Sequence, residues 1–91
     1  MKTIKELLKL MLENKDLFTH GLCNWTVLLY FNDKINRKEY LALMDYIENN
    51  RPSIFSSLNS FLSQISNSYY WKPGDINPRI KWIQKHIKIN S

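Results

Sequence analysis

Between Tyr69 and Ile87 the sequence gathers aromatic rings, a turn and a run of cations. Tyr69-Tyr70-Trp71-Lys72-Pro73-Gly74-Asp75 leads into Asn77-Pro78-Arg79-Ile80-Lys81-Trp82-Ile83-Gln84-Lys85-His86-Ile87. Rings supply flat stacking faces, while Arg and Lys supply charge and hydrogen-bond donors, a pairing suited to a flat anionic ligand such as a nucleotide. This is the chemistry of binding rather than of turnover. The candidate ligand-binding residues are Tyr69, Tyr70, Trp71, Lys72, Arg79, Trp82, Lys85 and His86.

Each has a plainer reading. Trp71 and Trp82 equally suit buried rings that fix a helix against the domain, since large aromatics dominate cores. If Tyr69 and Tyr70 are extended, their side chains alternate, so one packs while the other faces a partner. A lone helical histidine such as His86 is usually an ordinary surface or interface residue. His20-Gly21-Leu22-Cys23 stands at a helix entrance, where amides can receive an anion; a glycine-enabled turn beside a small hydrophobic thiol is the favoured alternative.

The patterns of common catalysts are missing. The sequence contains no G-x-x-x-x-G-K-[ST], H-E-x-x-H, C-x-x-C or G-x-S-x-G, so it lacks the spacing of phosphate-loop, metal and elbow-nucleophile sites. Cys23 with His20 has no orienting third group or identifiable oxyanion donors. The chain therefore reads as a non-enzyme without cofactor. As the sole cysteine, Cys23 forms no intrachain disulfide, which points to a reducing, cytoplasmic setting. A DNA-reading helix would carry polar base-contacting residues near its start, where Ile80, Trp82 and Ile83 stand instead. Phosphate contact without sequence preference is left open.

Helices must position these residues. Thr3 and Glu6 make a capping box for a helix running to about Lys15, with Ile4, Leu7, Leu8, Met11 and Leu12 at helical spacing. A second helix follows Gly21, with Leu22, Trp25, Leu28, Leu29 and Asn32 along one side and flanks apolar enough to suggest a central place. Asn36 and Glu39 resemble another cap, before Tyr40, Leu43, Met44 and Ile47. Asn49-Asn50-Arg51-Pro52 stops that helix, and Ser53 caps a fourth with Ile54, Leu58, Phe61, Leu62 and Ile65 on one face. Lys72-Pro73-Gly74-Asp75 is a turn with Gly at positive φ. Asn77 caps the last helix, Pro78 opens it, and it continues to about Lys88. Ile80, Ile83 and Ile87 are its expected core line, leaving Arg79, Trp82 and His86 at the boundary of a pocket or subunit contact. The expected fold is all-α, a compact bundle of four to five short helices with an aromatic Pro-Gly loop before the last.

With 91 residues the chain is one helical domain, 1–91, near the size where association adds stability, so a homo-oligomer is expected. Apolar residues at 44% suffice for a folded core. The net charge is +5, and residues 71–91 set five cations against Asp75 alone. That field favours phosphates, acidic proteins or anionic lipid, or simply solubilises a helix face. The absence of a long uncharged hydrophobic segment near Met1 argues against a signal peptide or membrane span.

Gly21-Leu22-Cys23, Tyr69-Tyr70-Trp71-Lys72-Pro73-Gly74 and Pro78-Arg79-Ile80-Lys81-Trp82-Ile83-Gln84-Lys85-His86-Ile87 resemble small uncharacterised bacteriophage-encoded proteins over most of the chain from Gly21 onward. The resemblance implies viral origin and action in the host bacterial cytoplasm. In broad design the chain is also similar to phage sponges, small oligomers that sequester signalling nucleotides of antiviral defence, though no motif is shared with them. The expected function is anti-defence sequestration of a small anionic nucleotide. Tyr70, Trp71 or Trp82 would stack on a base, while Lys72, Arg79 and Lys85 neutralise phosphate. The alternatives are an inhibitor that binds a host defence protein through the same aromatic and basic surface, and a non-specific nucleic-acid binder.

Overall fold

Thr3 opens the first helix as its sequence requires. Its hydroxyl accepts from the Glu6 amide at 3.2 Å, and the Glu6 carboxylate accepts from the Thr3 amide at 2.9 Å. The computed structural model describes residues 1–50 and 72–91. In these residues α1 spans Ile4–Glu13, a 3-10 turn spans Lys15–Leu17, α2 spans Leu22–Phe31, α3 spans Arg37–Asn50 and α4 spans Ile76–Ile89. The described residues contain no strand, and the architecture is a small all-α bundle. None of these helices is long and apolar enough to cross a membrane. The expected helix after Ser53, with Tyr69, Tyr70 and Trp71, lies outside the described residues.

The α3 cap also forms as its spacing predicts. Asn36 Oδ1 accepts from the Glu39 amide at 2.8 Å and Glu39 Oε1 accepts from the Asn36 amide at 2.9 Å. The second oxygen of Glu39 accepts from the Lys2 amide at 2.9 Å, tying the segment before α1 to the start of α3. These bonds hold the buried carboxylate below its ordinary pKa, the Asn36 amide contributing most.

Burial follows the apolar stripes in the first three helices. Leu7, Leu8 and Met11 on α1, Trp25 and Leu29 on α2, and Leu43 and Ile47 on α3 form one core. Its mutual burial is the main driving force for assembly. Trp25 meets Phe18 edge-on at 5.1 Å and donates through Nε1 to the Asn14 carbonyl at 2.9 Å, which gives the indole's polar end a partner. In the principal contacts α2 pairs with α3 and α1 with α4, while α1 also touches α2 and α3. Among the described residues α1 and α3 each touch the other three helices.

The last helix departs from expectation at its start and in its facing. Its cap is Asp75, whose carboxylate accepts from the Asn77 amide at 3.1 Å. Asn77 lies within the first turn, and Pro78 is tolerated there because first-turn amides lack intrahelical partners. The buried residues are Arg79, Trp82, Ile83 and His86, while Ile80 and Ile87 are half-buried. This face is rotated by about 85° from the isoleucine line, taking 100° per residue. The Trp82 ring has more apolar surface to hide than an isoleucine, and its two polar neighbours find partners inside.

Candidate functional site

Sequence segments far apart in the chain meet around Arg79. Lys72 to Asp75 closes as a turn, with the Asp75 amide donating to the Lys72 carbonyl at 3.1 Å and Gly74 at φ 81°. Glycine is required at that corner because other residues are strained there. The Gly74 amide donates to the His20 carbonyl at 3.0 Å, docking the turn on the entrance to α2. Arg79 reaches back from α4, and its Nη1 donates to the carbonyls of Lys72 at 2.6 Å and Asp75 at 2.7 Å.

The guanidinium carbon lies 6.0 Å from the Phe18 ring centroid. A Cβ built on Gly21 would come 3.7 Å from Arg79 Nη2, so the guanidinium lies beside the first residue before α2. With 8% of its surface exposed, Arg79 joins the 18–21 segment, the 72–75 turn and α4. Burial lowers its pKa, against the opposing pull of Asp75, but an arginine keeps its proton in any case. Thr19, His20 and Lys72 in the joined segments are exposed, and Gly21 caps α2 without a side chain.

Trp82 and His86 belong to a different cluster, at the C-terminal ends of α3 and α4. Trp82 is 6% and His86 7% exposed, and their rings lie 4.1 Å apart. Trp82 Nε1 donates to the Asn50 carbonyl at 3.3 Å. Tyr46 Oη lies 2.6 Å from His86 Nδ1 and accepts from Asn90 Nδ2 at 2.8 Å. With Asn90 as donor, the hydroxyl proton points to Nδ1 and the imidazole proton resides on Nε2. Burial, aided by Lys85, pushes the His86 pKa down.

The expected pocket line is therefore divided between two jobs. Arg79 is next to exposed Lys72, whereas Trp82 and His86 are packed inside the protomer and present no open stacking face. Lys85 is exposed and lies about 120° around α4 from Arg79, on a stripe with Lys81 and Lys88. Tyr69, Tyr70 and Trp71 are outside the described residues. The sequence reading missed Asp75 as cap and Phe18 beneath the guanidinium; an Asx residue directly after Pro-Gly was the available sign of the first.

No protein-family model, curated protein or solved structure matches the chain. Cys23 Sγ donates to Glu48 Oε1 at 3.6 Å. No group of three or more His, Cys, Asp or Glu among the described residues is placed to hold a metal ion.

Proposed function

We propose that the protein is a non-catalytic binding protein of bacteriophage type that captures a small anionic, nucleotide-like signal of host antiviral defence. The supporting observation is the convergence of Lys72, Arg79 and the Gly21 start of α2, segments well apart in the sequence. In this reading Lys72 meets phosphate directly. Arg79 fixes the Lys72 carbonyl and adds positive potential, and the start of α2, where Gly21 is half-buried and Asn24 exposed, favours negative charge. A stacking ring comes from Tyr69, Tyr70 or Trp71, which immediately precede Lys72. Trp82 and His86 support the fold behind the site. Because Arg79 and Lys85 lie on different sides of α4, one pocket employing both draws Lys85 from a second protomer of a homo-oligomer.

The experiment is calorimetric titration with cyclic and linear nucleotides. Binding at a fixed ratio, lost in Lys72→Ala and Trp71→Ala while the helical circular dichroism is retained, supports capture. Binding by none of the nucleotides rejects it. Arg79→Ala is a poor probe because the side chain holds the turn. A second reading, non-specific nucleic-acid binding, draws on the exposed stripe Lys81, Lys85 and Lys88, none of which makes an ion pair among the described residues. Salt-sensitive oligonucleotide binding that responds to Lys81→Glu would favour it.

A further inference from the structure

At the far end of α2, about 15 Å from Gly21 for a helix of this length, exposed apolar side chains occur with cations that have no ion pair among the described residues. Phe31 is 72% exposed and Leu41 52%. Tyr30 stacks on Tyr40 at 4.9 Å and lies 6.0 Å from Phe31, so Phe31 extends an aromatic tier out of the fold. Lys34, Arg37 and Lys38 are exposed around it, and none is in an ion pair among the described residues.

Their placement is costly. Arg37 and Lys38 are the first two residues of α3, where the positive end of the helix dipole disfavours cations. Glu39, the acidic residue in that turn, is committed to Asn36 and Lys2. Among the described residues Phe31 has the Tyr30 ring beside it but leaves most of its surface in solvent, and Arg37 and Lys38 have no ion pair; local rules broken with so little internal gain mark functional surfaces.

We propose that the Phe31, Leu41, Lys34, Arg37 and Lys38 corner docks an acidic partner protein with an apolar pocket for Phe31. Charge complementarity selects the partner's sign. A second copy of this chain is disfavoured because a two-fold contact would set these cations against their own copies. Nucleic acid would satisfy the cations and stack on Phe31, but leaves Leu41 without an apolar counterpart. The surface is independent of the Lys72–Arg79 site.

The test is nuclear magnetic resonance titration of the full chain with three probes: a synthetic acidic amphipathic peptide carrying Glu with Leu and Trp, its lysine-substituted counterpart, and oligothymidine. The acidic peptide is expected to shift the amides of Phe31, Lys34, Arg37 and Leu41, with Phe31→Ala weakening it at least about tenfold. Arg37→Glu is expected to weaken the peptide while raising the melting temperature, an opposition that a purely structural role would not produce. Three results would overturn the proposal: tighter binding of oligothymidine at these residues, a dimer abolished by Phe31→Ala, or shifts confined to other surfaces.

Discussion

Tyr46 carries two hydrogen bonds on one oxygen, and through them it determines what His86 can do. A protonated imidazole would turn Nδ1 into a donor facing a hydroxyl that already takes a hydrogen from Asn90. The pKa of His86 is held below its ordinary value of 6.5, first by burial and then by Lys85. The unfolded chain therefore binds the proton more readily. Its contribution to stability is complete above about pH 6.5 and is lost as pH falls through the lower folded value. Thermal melts across that interval should show the decline, and melts that are flat there would contradict it. Tyr46→Phe removes the donor to the neutral ring, so the His86 pKa should rise in a resonance titration, with a stability loss of about 1 kcal/mol. Glu39→Ala frees the amides of Asn36 and Lys2 together and should cost about 1–2 kcal/mol in chemical unfolding.

The capping pairs Thr3 with Glu6 and Asn36 with Glu39 were legible in the sequence because each is local: residue type and a three-residue spacing determine the bonds. The Lys72–Asp75 turn was legible for the same reason, since proline sets one corner and glycine accepts the other. The facing of α4 was not, because Ile80, Ile83 and Ile87 form as regular a stripe as Arg79, Trp82 and His86. The choice depends on partners, Tyr46 and Asn50 on α3 and Phe18 after α1, that periodicity does not register. The same limit applied to the candidate site. Lys72 beside Arg79 could be inferred from their closeness in sequence, whereas the arrival of Gly21 depends on how the turn docks on His20. Gly74→Ala tests that docking. A Cβ there would lie 3.7 Å from the Thr19 carbonyl, an ordinary contact, so the penalty is backbone strain alone, about 1–2 kcal/mol at φ 81°. A loss much greater than this in chemical unfolding would mean that the turn supports more of the fold than its contacts indicate.

Across the molecule, α4 grips the chain at two places that are distant in sequence. Trp82 holds Asn50, where α3 ends, and Arg79 holds Lys72, where the described chain resumes. Three residues separate the grips, less than one helical turn. Asn50 and Lys72 are therefore both held by one turn of α4, the helix that docks on α1. Trp82→Ala, which empties the grip on Asn50, should cost about 3–5 kcal/mol in chemical unfolding, and a loss below about 1 kcal/mol would show that this grip holds little of the bundle. A single turn of α4 thus acts as a double latch, and a change that lifts it from α1 would release Asn50 and Lys72 together.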